Sequence, residues 1–504
     1  MSINTARILL LLICSWIIIV EQCSGWVFIE RSLTSMSFRW RNAHRGPAAR
    51  ENSRSRLASK SDTETQHQRE ESRPPLAWTI PKGIKFGRLD RLELLPMDHN
   101  TGQKENLLSK DQPKTATIAT RAIGLNFADI FTVLGLYSAA NLVRGKSLSS
   151  FIPGLEFAGQ ILEDPTATYE RGDRVLGFTR FGSYAEVVSV PPVFLIPLPD
   201  SWSFAQGAGF LVQALTAWHG LVEIGRMPNL SNKSNNKNKS AHPYVVIVHS
   251  ASGGVGLWAS ELVARRGGIV LGIVGDESKQ KVFHDRIVSE LSPKSRVMIR
   301  GKEKDFSQRL ARELWSLHSN NNDSQETVPS LNELAKIGCG ADMVMESLGG
   351  KYFRASFDAL NDGGALVTFG STTYSSPGRG GINLFRLVWR YLNRPRIDPG
   401  DLTARNLRLC GFNLIFLTEQ TAQLQRELSD CVSCLSGNEE TTTSHDTEIP
   451  LSLENVIPPT IGATFDFQTQ AIDAMERLKS GSTVGKVVLV NEDSSMRTPA
   501  RESE

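Results

Sequence analysis

The residues with most chemical content are Ser250-Ala251-Ser252-Gly253-Gly254-Val255-Gly256, set between an apolar run, Tyr244 to His249, and a helical period from Val255 to Arg266. Small residues at a strand end let the backbone turn tightly and approach a pyrophosphate, whose charge then rests on the amide end of the next helix. Ala251 takes the first glycine position of the usual G-x-G-x-x-G. Such a run alone is weak, since glycines also serve close helix-sheet packing. The strand-turn-helix context favours a dinucleotide site. Ala251, Gly253, Gly254, Val255 and Gly256 are therefore expected to contact a cofactor.

The end of the next strand selects that cofactor. A carboxylate there would accept the ribose 2′-OH of NAD, but Val274 and Gly275 stand at that place. NADPH is expected, with Lys279 meeting the 2′-phosphate and Arg300 as a weaker partner. Asp276 and Glu277 argue mildly against this, although both suit the cap and first turn of the following helix. His219 and His249 have no nucleophile beside them and read as packed histidines. Cys431 and Cys434 form a Cys-x-x-Cys without a second pair, so no metal is expected there.

The elements that must hold this chemistry change rhythm near Phe204. Before it, short β-rich runs (Arg91 to Leu95, Ala116 to Leu125, Phe157 to Leu162, Ala185 to Val188) are punctuated by Gly and Pro. After it, apolar strands (Tyr244 to His249, Val270 to Val274, Asp342 to Glu346, Ala365 to Phe369) alternate with helical stretches, the pattern of a doubly wound parallel sheet. Residues 229–240 and 438–447 are polar insertions expected to be surface loops.

Ala122-Ile123-Gly124-Leu125-Asn126-Phe127-Ala128-Asp129, Gly135-Leu136-Tyr137, Pro153-Gly154-Leu155-Glu156-Phe157-Ala158-Gly159, Gly172-Asp173-Arg174-Val175, Thr216-Ala217, Gly349-Gly350 and Gly485-Lys486-Val487-Val488 occur in this order. Together they resemble the zinc-free quinone oxidoreductase branch of the medium-chain dehydrogenase/reductase superfamily. Cys410-Gly411-Phe412-Asn413-Leu414 and the basic stretch from Arg386 to Arg394 resemble its synaptic vesicle membrane protein VAT-1 group. The resemblance spans about residues 78 to 491.

It implies an α/β fold in which a Rossmann doubly wound parallel sheet is inserted into a β-rich GroES-like catalytic domain. The expected parts are the first catalytic segment at 78–213, the NADPH-binding domain at 214–412, a return to the catalytic domain at 413–491 and a tail at 492–504. It also implies roles: Asn126 and Asp129 beside the nicotinamide, Thr216 on its ring or carboxamide, Gly370, Gly411, Phe412 and Asn413 as further cofactor contacts, and Tyr137 as candidate proton donor. Zinc members carry Cys near Asn126 and His at Leu155. Only Glu156 survives, and one carboxylate cannot hold zinc.

The expected function is reduction of a quinone or α,β-unsaturated carbonyl, a small molecule, by hydride transfer without metal. Two alternatives stay open. An enoyl thioester reductase would use Arg386, Arg390 and Arg394 for the carrier phosphate; a weakly catalytic nucleotide-binding protein would meet lipids or membranes through Phe385, Leu387, Val388, Trp389 and Tyr391. A homodimer is implied by the resemblance.

With 504 residues, 40% apolar, a net charge of +3 and six cysteines, the chain suits two or more folded units and no nucleic-acid partner or disulfide framework. Ile8 to Val20 has the length of a signal-peptide core, giving an expected signal at 1–25. Residues 26–77 open on Trp26, Val27 and Phe28 and continue Ser- and Arg-rich, like a transit peptide with a linker. A plastid address is expected, with the ER lumen or secretion as the alternative; glycans at Asn229, Asn232, Asn238 and Asn322 distinguish them.

Overall fold

A computed structural model describes residues 73–85, 87–97, 114–145, 148–231, 242–318, 328–372, 389, 392–437 and 451–491. Residues 1–72, and with them the expected signal and transit segments, lie outside it. So does most of the 384–392 stretch, of which Trp389 and Leu392 are described and exposed.

Runs of β-branched and apolar residues build two sheets. The first contains β3 (Ala116–Gly124), β4 (Glu156–Glu163), β5 (Arg174–Phe178), β6 (Val187–Val190), β7 (Leu195–Pro197), β14 (Ile461–Asp466) and β15 (Lys486–Val490). Its order is β14-β15-β3-β4-β5-β7, with β6 also on β3, and every pair is antiparallel except β14-β15. A separate antiparallel pair, β1 (Leu76–Thr79) and β2 (Glu93–Pro96), lies at the start.

The second sheet is parallel throughout, in the order β10-β9-β8-β11-β12-β13. Its strands are β8 (Val245–His249), β9 (Ile269–Val274), β10 (Arg296–Ile299), β11 (Ala341–Glu346), β12 (Leu360–Thr368) and β13 (Arg408–Gly411). Numbered from β8, this is the 3-2-1-4-5-6 order of a dinucleotide fold, and the strand order reverses between β8 and β11. A crevice opens at such a switch point, outside the carboxyl ends of the strands.

Both faces of β8 are covered, which explains its unbroken apolar run. Val246 and Val248 join a core shared with the first sheet and the helices Leu211–Trp218, Gly254–Arg265 and Thr421–Ser436. Val245 and Ile247 join a second core with Phe306, Leu310 and Leu314 of the helix Phe306–His318.

The inserted sheet and the returning strands β14 and β15 give the Rossmann-in-GroES-like architecture. The boundary expected at 213/214 falls inside the helix Leu211–Trp218. The helix Thr421–Ser436 packs on Leu211–Trp218 and Gly254–Arg265, so the chain rejoins the first sheet at β14 rather than at 413.

Candidate functional site

A cleft of about 640 Å³ lies between the two sheets at the switch point. Its floor is the turn after β8. Ser250 takes φ of +53°, its carbonyl accepts the Gly253 N–H at 2.8 Å, and the helix Gly254–Arg265 begins with no side-chain cap on Gly253. The first-turn amides, which have no acceptor inside the helix, therefore belong to the cleft wall formed by Gly253, Gly254, Val255 and Gly256. Gly256 makes the tight packing possible: a Cβ there would lie 2.2 Å from the Ser250 carbonyl oxygen and 2.7 Å from the Ala251 Cα.

Ala251 does not line the cleft as expected. It is fully buried beneath the turn, its N–H donating to Ile273 O at 3.1 Å, so its smallness serves the fold rather than contact.

Val274 and Gly275 line the cleft at the end of β9, followed by Lys279 and, after β10, Arg300. The Asp276 carboxylate is spent as the cap of the helix Glu277–Phe283, accepting the Lys279 N–H at 3.1 Å and the Ser278 hydroxyl at 2.6 Å. The Lys279 ammonium is 3.4 Å from Asp276 and donates to Gly481 O. Arg300 sits 5.3 Å above the Tyr352 ring. A second seam runs alongside: Gly485 N–H donates to Ser252 O at 2.8 Å, and Gly253 and Gly485 form a parallel bridge.

His249 also lines the cleft. Ser356 donates its hydroxyl to Tyr352 O, so His249 Nε2–H donates to Ser356 Oγ at 2.7 Å. That tautomer leaves Nδ1 a buried acceptor without a partner among the described residues. Burial first, and Arg300 second, hold this imidazole neutral with a pKa of about 3. A neutral acceptor, free helix amides and two cations fit a phosphorylated dinucleotide.

At the other end of the cleft stand Leu125, Asn126, Phe127, Tyr137, Leu155 and Phe178. The Tyr137 hydroxyl donates to Asn413 Oδ1 at 2.8 Å, and burial pushes its pKa up to about 12. Asn126 is held on both sides: its Oδ1 accepts Lys486 Nζ at 2.9 Å, and its Nδ2 donates to Glu156 Oε1 at 3.0 Å. Lys486 and Glu156 also form an ion pair, each side chain 1% exposed, and Glu156 Oε2 accepts the Val212 N–H at 3.0 Å. Thr216, Gly370, Phe412 and Asn413, the further expected cofactor contacts, line the cleft.

Two expected residues do not. Asp129 is buried under the helix Phe127–Val133, where its carboxylate accepts the Asn126 N–H at 2.7 Å and the Tyr184 hydroxyl at 3.2 Å. It completes a capping box with Asn126, and desolvation raises its pKa to about 7. Gly411 is the last residue of β13, exposed and away from the cleft, while its neighbour Phe412 turns inward.

The donor set does not fit a catalytic zinc ion. Leu155 has no ligand atom, and the Glu156 carboxylate is committed to Lys486, Asn126 and the Val212 amide.

Residues 112–200 match the model described as alcohol dehydrogenase GroES-like domain, and residues 320–489 match the one described as zinc-binding dehydrogenase. The chain belongs to the medium-chain dehydrogenase/reductase superfamily. Within that superfamily of oxidoreductases it is similar to the rat (Rattus norvegicus) synaptic vesicle membrane protein VAT-1 homolog, 25% identical over 83% of this chain and 84% of that one. It is also similar to a probable quinone oxidoreductase of Schizosaccharomyces pombe, 25% identical over 53% and 68%. A mycobacterial protein solved in complex with NADPH superposes with a TM-score of 0.55 and 21% identity over 82% of this chain and 99% of its own. The zinc named in one superfamily model thus meets a member whose cleft lacks the ligands.

Lys486, Gln213 and His249 are cleft residues that sequence reasoning did not assign. Lys486 carries a signal, a lysine directly before the apolar run of β15, but its partners Asn126 and Glu156 are hundreds of residues away. Gln213 lies against Gly254, where a Cβ would be 1.8 Å from Gln213 Oε1. His219 is packed, as expected, with Nδ1 2.8 Å from Glu427 and its ring edge-on to Phe412. Cys431 is buried and Cys434 half-buried, and neither forms a disulfide among the described residues.

Proposed function

We propose that this protein is an NADPH-dependent reductase of quinones or α,β-unsaturated carbonyls that works without a metal. The carrying observation is one cleft with a cationic, amide-rich end at Gly253–Gly256, Lys279 and Arg300, and an apolar end bearing the Tyr137 hydroxyl. NADPH, when bound, supplies the hydride.

The chain's own residues do the rest. Lys279 and Arg300 favour a cofactor with an added phosphate, since no carboxylate lines the cleft among the described residues and Asp276 is occupied as a helix cap. Phe127, Leu155 and Phe178 exclude water around the acceptor, which strengthens every hydrogen bond made there. Tyr137 turns its one hydroxyl proton from Asn413 Oδ1 to the acceptor oxygen, where negative charge develops as the hydride arrives. Solvent returns that proton, so one hydride and one proton are consumed per two-electron reduction. Asn126, clamped by Lys486 and Glu156, positions the wall beside the reacting atoms.

The test is NADPH oxidation by the purified chain against quinones, alkenals and enoyl thioesters in parallel, with NADH as comparison. Turnover of quinones or alkenals with NADPH is expected; turnover confined to thioesters overturns the acceptor assignment. Lys279→Ala with Arg300→Ala is expected to lower the NADPH-over-NADH preference about 10- to 100-fold, which binding titrations measure.

We propose also that the chain assembles as a homodimer through the edge of β13 that no described strand pairs, supported by exposed Leu409 and Phe416. Leu409→Lys is expected to give monomers by light scattering. A plastid address rests on the composition of residues 1–77; glycan at Asn229 would overturn it.

A further inference from the structure

Far from the cleft, at the amino ends of β8 and β11, three side chains converge. His242 precedes β8, His318 closes the helix Phe306–His318, and Cys339 precedes β11. Their potential ligand atoms all lie within 4.8 Å of one another. The cleft is at the opposite ends of these strands, about 16 Å away for a five-residue strand.

The hydrogen bonding of His318 fixes its tautomer. Its Nε2 is 3.2 Å from Gly340 O, and a carbonyl only accepts, so Nε2 carries the proton. Nδ1 then bears a lone pair, and this atom is buried without a hydrogen-bond partner among the described residues. Buried polar atoms are rarely left so. A ring whose one nitrogen donates to a backbone carbonyl while the other is a bare acceptor has the outer-shell arrangement of a metal-bound histidine. Cys339 contributes a buried free thiol, and His242 is exposed, giving an entry path. The His242 ring rests against Gly338, where φ is +74° and an added Cβ would meet the ring at 3.5 Å. Behind the cluster, Asp342 accepts the Val245 N–H at 2.7 Å and the Asn361 amide at 3.1 Å, bracing the first residues of β8, β11 and β12.

We propose that His242, His318 and Cys339 form a binding site for one thiophilic divalent transition-metal ion, such as zinc, with solvent as fourth ligand. Two imidazoles and a thiolate are the donor set such ions select, and hard cations such as magnesium are disfavoured. Ligand atoms around tetrahedral zinc are roughly 3.3 to 3.8 Å apart, given bonds of about 2.0 Å to nitrogen and 2.3 Å to sulfur. The exposed His242 ring closes the remaining gap by rotation. Binding exchanges the Cys339 S–H proton, released to solvent, for a sulfur-metal bond, with no redox change. The ion ties together three chain segments that enter or leave the parallel sheet, and so acts as a structural brace distinct from hydride transfer.

The experiment uses the full chain, freed of metal by chelator and gel filtration, titrated with Co²⁺ alone. Expected are one Co²⁺ per chain at this site, a thiolate-to-cobalt charge-transfer band in the near ultraviolet, and intense visible bands of tetrahedral Co²⁺. Cys339→Ser should abolish the charge-transfer band, and His318→Ala should weaken binding at least tenfold. A control with Cys431→Ser and Cys434→Ser should keep both. NADPH affinity within twofold of the parent shows that Cys339→Ser is folded. If that variant does not fold, His242→Asn, at the exposed position, should weaken Co²⁺ binding at least tenfold. No charge-transfer band, a band that survives Cys339→Ser or disappears in the control, or unchanged affinity in His242→Asn overturns the proposal.

Discussion

Lys486 and Glu156 are each 1% exposed and, among the described residues, are satisfied by one another, Asn126 and the Val212 amide. Removing one partner of such a pair leaves a buried charge and costs on the order of 3 kcal/mol, whereas replacing both is much milder. Lys486→Met is therefore expected to destabilise the fold by about that amount in denaturant melts, and Lys486→Met with Glu156→Gln to recover most of it. Tyr137 makes a complementary case, because burial keeps it protonated across the working pH range. Tyr137→Phe is expected to lower kcat about 10²- to 10³-fold while leaving NADPH affinity within twofold; an unchanged kcat would remove it from the chemistry. Glu346 carries its pH effect into the neutral range. Its Oε1 accepts the Leu348 and Gly349 amides at 2.9 and 2.8 Å, and burial raises its pKa from 4.5 to about 7. Because the folded state holds this proton more tightly than the unfolded chain, stability falls as pH rises from about 4.5 to about 7 and levels above that. The loss is at most about 3 kcal/mol. Glu346→Gln should remove that part of the stability profile, leaving the slope from Asp129, whose pKa burial raises from 3.8 to about 7, across the same window.

At the level of elements, the glycine turn separates two substitutions that look alike in sequence. A Cβ on Gly254 meets the tip of Gln213, a side chain that can swing away, whereas a Cβ on Gly256 meets the backbone of Ser250 and Ala251. Gly254→Ala should thus be mild, and Gly256→Ala should lift the helix from the turn and weaken NADPH binding at least tenfold, read by fluorescence titration. The turn and its helix were legible because strand, small residues and helical period are adjacent in the chain. The β8 and β9 runs were legible for the same reason, being apolar on both faces. Asp129 was misplaced because a carboxylate at the third helical position caps as readily as it reacts, and the sequence does not say which way it faces. Lys486, Gln213 and the His242, His318 and Cys339 cluster were hidden because their partners come from distant segments. Short, half-exposed strands such as β10 and β13 carry too little apolar pattern to be seen.

For the whole molecule, the two sheets meet on unequal terms around the cleft. Across the acceptor rim, Arg180 reaches Glu419 at 2.5 Å, but the two side chains are 20% and 56% exposed. Such a pair contributes under about 1 kcal/mol. Glu419→Gln should change the acceptor KM by a few-fold while shifting Tm by less than about 2 °C.

The Gly253–Gly485 seam lies on the other side, stitching the glycine turn to the start of β15 with backbone bonds that side-chain changes cannot remove. With that edge held by backbone bonds, the cleft is expected to open at the end where Tyr137 stands, so that a reduced acceptor leaves first and the spent nucleotide last, an ordered sequence in steady-state kinetics. NADP⁺ should compete with NADPH alone, and the reduced acceptor should inhibit non-competitively against the same nucleotide.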